Sequence, residues 1–174
     1  MSYKPIVIIN GEPNSIFLEI FFKSLKKKIK SPIILISSLK LLKFYMKKLK
    51  FNKKINLIKN EKIYEKKLSN NSINLIDIEF KFEKNVNKIS YRSKNFIEKS
   101  FEIGLKIIEE GKTNKFINGP ISKKSFLSKK YPGITEYIAR KTSIKKYAML
   151  IYNKNLSVCP LTTHIPIKNV SKKI

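Results

Sequence analysis

Residues 5–9 read PIVII and residues 33–36 read IILI. A run of this kind, with no polar residue in alternation, does not make a strand with one face in water. It has to be covered on both faces, and a parallel sheet between helices meets that requirement. The intervening sequence agrees. Residues 5–9 stop in the turn-rich segment NGEPNS, and an amphipathic pattern over 16–29 follows, with Ile16, Ile20, Leu25 and Ile29 near helical spacing. Asn14 or Ser15 is placed to cap that helix. Strand, polar turn and helix form the first half of a βαβ unit. The turn has two readings: a helix N-terminus that holds an anion, or a simple reversal of the chain.

Ser37 or Ser38 caps a second helix running to about residue 49, with Leu39, Leu42, Tyr45, Met46 and Leu49 on one face. That face is core material. Residues 55–58 and 73–78 are further strands, the latter entered through the polar turn SNNS, and 80–89 reads as irregular. The longest helical pattern covers 93–110 through Phe96, Ile97, Phe101, Leu105 and Ile108, with Ser93 as N-cap and Gly111 at the C′ position. The expected fold class is α/β, a mostly parallel sheet flanked by helices.

The formal net charge is +26. Such a value raises nucleic-acid or anionic-membrane binding at once. Residue usage gives a different cause. The chain has 36 Lys but 2 Arg, with 29 Ile, 16 Asn and 2 Ala. A surface built to read nucleic acid uses Arg for its planar fork. Lys, Ile and Asn rising together while Arg and Ala fall fits A+T-biased coding, so no specific nucleic-acid partner is expected. Weak, salt-sensitive attraction to polyanions follows from the charge regardless. Cys159, the single cysteine, rules out an internal disulfide and a cysteine-cluster metal site, and its apolar setting predicts a buried inert thiol. No apolar stretch approaches the length of a membrane span and the N-terminus lacks a secretory pattern, so a soluble, cytoplasmic protein without a membrane partner is expected.

Chemistry concentrates in two stretches. Residues 115–136 read KFINGPISKKSFLSKKYPGITE, and residues 156–167 read LSVCPLTTHIPI. Each begins as a short apolar run and stops in loop-forming or polar residues, as strands do where their carboxyl ends face a ligand. Ser122 caps a short helix containing 123–127, Pro132-Gly133 is a turn, and Thr135 caps or begins a helix to about Lys141. Residues 147–152 and 156–161 read as two strands joined at 153–155, and 166–174 starts another helix. No G-x-S-x-G elbow indicates a serine triad, and no GxGxxG indicates a Rossmann nucleotide site.

NGPISK, then PGITE, then TTHIPIKNV, preceded by PIVIINGEPNSIFLEI at the N-terminus, resembles the 4-hydroxythreonine-4-phosphate dehydrogenase (PdxA) family of vitamin B6 biosynthesis. That family typically reads GDPAGIGPEI, TGPI-x-K, GHTE and TTH-x-P-L in this order. The resemblance implies an isocitrate/isopropylmalate dehydrogenase-like fold. Residues 1–174 would be a single α/β region, the truncated counterpart of the N-terminal half of a two-domain subunit. It implies a homodimeric NAD-dependent oxidoreductase of pyridoxine biosynthesis. The phosphorylated substrate, 4-phosphooxy-L-threonine, would be oxidised and lose carbon dioxide to give 3-amino-2-oxopropyl phosphate. It also implies a divalent metal (zinc, magnesium or cobalt) ligated by His164, and substrate contacts from Thr135 and Lys123.

By itself, His164 is as well read as a hydrogen-bonded structural histidine, Thr135 as a helix N-cap, and Lys123 as one lysine among many. Thr162 and Thr163 are placed to orient His164. The chain departs from the family pattern at Ser15 and Phe17, which stand where glycines are expected, and at Glu12, which replaces Asp. Ile134 replaces the histidine beside Thr135, and two further metal-binding histidines of the family have no counterpart here. Two other functional readings stay open: an inactive remnant or binding module of the same fold, and a basic polyanion-binding protein.

Overall fold

The computed structural model describes residues 3–59, 68–80, 91–127, 130–172 and 174. The chain divides into two compact units, Met1–Phe126 and Leu127–Ile174.

In the first unit, five strands form one parallel sheet: β1 (Ile6–Ile9), β2 (Ile33–Ser37), β3 (Lys54–Leu57), β4 (Ser72–Asp77) and β5 (Phe116–Asn118). Their order across the sheet is β3-β4-β2-β1-β5. The helices are α1 (Phe17–Ser24), α2 (Leu39–Lys48) and α3 (Tyr91–Glu109). Both uninterrupted apolar runs become inner strands, as double-sided burial requires: Val7, Ile9, Ile34, Leu35 and Ile36 are wholly buried. Successive side chains take opposite faces. Ile8, Leu35 and Leu75 pack with α1 and α2 residues such as Leu18, Phe22, Leu41 and Leu42 in one cluster. On the opposite face α3 packs against β1 and β2, with Phe101 against Phe116 of β5.

α1 buries a different face from the one its isoleucine spacing suggests. Phe17, Leu18, Phe21 and Phe22 are buried, whereas Ile16 and Ile20 are more than half exposed. Turning the helix by one residue exchanges two isoleucines for three phenylalanines and a leucine, and aromatic rings bring the larger burial. Phe17 stacks on Phe21, and Phe22 stacks on Phe51 at 4.5 Å. The helix also stops at Ser24, short of the expected residue 29. Beyond it stand Lys26, Lys27, Lys28 and Lys30, which offer no apolar face. Its N-cap is Ile16, without a side-chain cap, in place of Asn14 or Ser15.

α2 follows the expectation more closely. Ser38 is its N-cap and accepts from the Leu41 N–H, and Asp77 at the end of β4 accepts from the Leu39 N–H at 2.7 Å. Leu41 is wholly buried although the spacing omitted it, while Leu49 is exposed at the C-cap. Ser93 lies inside α3 rather than at its N-cap. The far end of α3 behaves as read: Gly111 has φ +69°, and Gly111 and Lys112 donate back to Ile108 and Ile107, which closes the helix as a Schellman turn. The expected irregular segment 80–89 lies outside the described residues apart from Phe80.

The second unit holds α4 (Ile134–Lys141) and a 3-10 turn, Ile167–Lys172, where a helix to 174 was expected. The two strands expected over 147–152 and 156–161 are reduced to a single antiparallel bridge between Ile151 and Val158. β-branched residues favour strands only where a neighbouring strand is present to pair with. Cys159 is exposed, not buried. No helix among the described residues is long and apolar enough to cross a membrane.

Candidate functional site

From β1 the chain moves to β2 on one side, and after β4 and α3 it returns to β5 on the other side of β1. The direction of winding reverses there, so the carboxyl ends of β1 and β5 flank the switch point where open parallel sheets bind ligands. Two loops leave from it, 10–16 after β1 and 119–122 after β5, and they are held together backbone to backbone. Glu12 N–H donates to Pro120 O at 2.8 Å, and Gly119 N–H donates to Ile9 O at 2.9 Å. Contact is close enough that a Cβ on Gly11 would lie 2.4 Å from Pro120 O, and one on Gly119 would lie 2.1 Å from Asn10 O. Gly11 is also held at φ +70°.

Beneath these loops lies a buried polar chain. Ser37 Oγ donates to Asn10 Oδ1 at 3.1 Å, and Asn10 Nδ2 donates to Glu12 O at 3.3 Å. Ser15 Oγ donates to the same Glu12 carbonyl at 2.7 Å and accepts from Phe17 N–H. Glu12 is 9% exposed. Burial pushes its carboxyl above the usual carboxylate range, and the hydrogen bond it accepts from the Ser122 backbone partly offsets the rise. Its Oε1 has no hydrogen-bond partner. Asn10, Glu12 and Ser37 carried no functional role in the sequence reading; the available signal was an acid in the turn directly after the first buried strand.

The two residues standing where glycines were expected have ordinary structural uses. Ser15 fastens the turn. Phe17 is buried in the core, its ring edge beside Gly119. Glycines in a dinucleotide turn let the pyrophosphate approach the backbone. Here that room at Gly11 is taken by Gly119 and Pro120. The turn therefore does not fit NAD as a phosphate cradle.

Lys123 is the first residue of a π-helical turn, Lys123–Leu127, which Ser122 caps: Ser125 N–H donates to Ser122 Oγ at 3.3 Å and Phe126 N–H to Ser122 O at 2.9 Å. Lys123 is exposed and next to the residue whose N–H holds the Glu12 carboxylate. Thr135 lies in the second unit, half-buried in the first turn of α4. It begins the helix rather than capping it. Gly133 is the N-cap, and the Thr135 hydroxyl makes no hydrogen bond among the described residues. Glu136 joins it in that turn, where an acidic side chain is favourable.

His164 also belongs to the second unit. It is exposed, with φ +58°, a left-handed conformation uncommon outside glycine. Thr162 is half-buried and Thr163 exposed, and neither bonds to the imidazole among the described residues. Those residues contain no group of three or more His, Cys, Asp or Glu that could share a metal ion. Catalytic zinc normally takes three protein ligands, so the described residues by themselves do not fit a held divalent ion.

A family profile described as "Pyridoxal phosphate biosynthetic protein PdxA" matches residues 28–174. The chain is 31% identical, over 97% of its length and 52% of the relative's, to a 4-hydroxythreonine-4-phosphate dehydrogenase of Sulfurihydrogenibium sp.. It is 42% identical over 34% of its length to the protein of the same name from Aquifex aeolicus. A crystal structure titled as a 4-hydroxythreonine-4-phosphate dehydrogenase from Burkholderia phymatum superimposes with a TM-score of 0.82 at 22% identity, over 100% of this chain and 54% of that one. That likeness concerns the fold. The chain spans about half the length of the relatives it matches.

Proposed function

The chain belongs to the PdxA family, and from that premise we propose that it carries part of the site of a 4-hydroxythreonine-4-phosphate dehydrogenase. The reaction is NAD-dependent oxidation of 4-phosphooxy-L-threonine with loss of carbon dioxide, giving 3-amino-2-oxopropyl phosphate for pyridoxal phosphate synthesis. The observation that carries this reading is the colinear 31% identity over 97% of the chain with a relative of that name.

In this reading Thr135 offers a free hydroxyl at a helix N-terminus, where backbone N–H groups favour the phosphate of the substrate. Lys123, in the first unit, is an exposed positive charge of the kind that meets a phosphate. Ile134 can neither donate nor accept a hydrogen bond, so recognition on that side is weaker than an imidazole would give. His164 supplies one ligand toward a divalent metal, and the others come from outside the described residues. A divalent metal would supply Lewis-acid polarisation of the substrate hydroxyl, and NAD would be the hydride acceptor. A homodimer would provide a second copy of each residue at a shared interface.

NADH formation tests the reading. The purified folded chain receives NAD, 4-phosphooxy-L-threonine and a divalent metal, beside a His164→Ala variant. Turnover that is lost in the variant is the expected result for a complete site. Absence of turnover from a folded chain refutes independent activity.

One observation favours a second reading, polyanion binding. An open surface depression is lined by Lys43, Lys47, Lys50 and Lys53 around Met46, Phe51 and Ile55, with no acidic residue among the described residues of its lining. Charge-only binding weakens steeply with salt and ignores sequence. Binding that survives physiological salt would support a dedicated role.

A further inference from the structure

Carboxylates are rarely left buried with an oxygen that meets no donor, because the lost hydration is not replaced. Glu12 is such a group. It is 9% exposed, one side of its carboxylate accepts from the Ser122 backbone, and Oε1 is without a partner. Its place is the switch point between β1 and β5, where a parallel sheet of this order receives ligands. The surrounding polar groups are already engaged with one another: Asn10 with Ser37, Ser15 with the Glu12 carbonyl and the Phe17 N–H, Asn118 with Gly119 O. None of them is bonded to Oε1. Lys123, beside Ser122, adds an exposed cation at the same loop.

We propose that Glu12 is a ligand-binding residue whose free oxygen accepts an ammonium or hydroxyl donor from a small phosphorylated ligand held at this switch point. The inference rests on the substrate class of the proposed function but not on turnover. With one side of the carboxylate bonded to the Ser122 N–H, Oε1 keeps acceptor capacity that nothing in the fold uses. A ligand with a donor at one end and a phosphate at the other suits a buried carboxylate and an exposed lysine on adjoining loops. 4-Phosphooxy-L-threonine has both an ammonium and a hydroxyl, so two sources of the donor are open.

Calorimetric titration of the folded chain separates them. The probes are 4-phosphooxy-L-threonine and its analogue with hydrogen in place of the 2-amino group, each against wild type and Glu12→Gln. Glutamine keeps an acceptor for Ser122 and removes the charge. A drop of about tenfold or more for the amino ligand alone identifies the ammonium as the donor. A similar drop for both ligands identifies the hydroxyl. Unchanged affinity for both, or no binding of either probe to the folded wild type, overturns the proposal.

Thermal unfolding without ligand provides the control for folding. A carboxylate kept for a ligand makes no net contribution to the empty fold, so Glu12→Gln is expected to unfold no lower than wild type. A fall of several degrees would make Glu12 a structural residue and overturn the proposal. Glu12-dependent binding without NADH formation would refute independent activity of the chain and leave this proposal standing; NADH formation unaffected by the variant would do the reverse.

Discussion

Gly119→Ala puts the loop contact at the switch point to a quantitative test. The added Cβ would lie 2.1 Å from Asn10 O and 2.7 Å from the Asn10 carbonyl carbon, with the Phe17 ring at 2.8 Å. Ordinary contact begins near 3.4 Å, so the two backbones must separate by more than an ångström. Neither is a flexible side-chain end that could move aside cheaply. Separation strains Gly119 N–H to Ile9 O and Glu12 N–H to Pro120 O, 2.9 and 2.8 Å long. Overpacking costs about 1–3 kcal/mol, and each weakened buried hydrogen bond adds about 1 kcal/mol. The expected loss is about 3–5 kcal/mol, a large part of the ~5–15 kcal/mol that holds a domain together. In a chain of this size that lowers the midpoint by about 6–20 °C. Gly111→Ala is the comparison, because Gly111 shares a positive φ but has nothing within 4 Å of its would-be Cβ. It is expected to cost only about 1 kcal/mol, the conformational penalty alone. Urea and thermal unfolding followed by circular dichroism measure both. If Gly119→Ala proves no worse than Gly111→Ala, the loops are not locked as described and the argument for a preformed switch point fails.

Asn70→Ala removes the side chain that donates to Ile29 O and Ser31 O at 3.0 and 2.8 Å and accepts from Ile33 N–H at 3.0 Å; a loss of about 2–3 kcal/mol in urea unfolding is expected, and a loss below ~0.5 kcal/mol would mean water replaces these bonds freely. Because burial raises the Glu12 carboxyl in the folded state, its contribution is fully present below the unfolded carboxyl range and is lost as pH rises through the folded value. Wild type should therefore lose stability relative to Glu12→Gln as pH climbs from about 4 toward 7, and parallel stability curves for the two proteins would contradict that assignment.

Double-sided burial writes itself into sequence as an unbroken apolar run, and for that reason β1 and β2 were legible from residues 5–9 and 33–36. Gly111 and Ser38 were legible because their roles are local. The face of α1 was not, since isoleucine spacing competed with a phenylalanine pattern one residue out of step, and only the sheet beneath decides which is buried. The expected strands over 147–161 hold only two β-branched residues, Ile151 and Val158, and these alone pair among the described residues. Thr135, Lys123 and His164 were singled out by resemblance alone, which suggests a chemistry without giving its surroundings. Glu12 shows the converse. Its significance comes from meeting a loop more than a hundred residues away, and no local pattern encodes that meeting.

The position of β1 in the middle of the sheet also governs how the chain is made. β1 and β2 can pair as soon as both have been synthesised, but the other edge of β1 waits for Phe116–Asn118. Thr113 reaches back across 108 residues to bond the Pro5 carbonyl, which places the closure late. At about 5–20 residues per second the ribosome needs on the order of ten seconds to deliver that partner. Throughout that interval an apolar strand edge is open to any neighbouring chain. Lys115 directly precedes β5 and Lys4 lies two residues before β1, where charges act as gatekeepers against premature pairing. Lysines at these two positions would disfavour pairing of the open edge with other copies of the nascent chain.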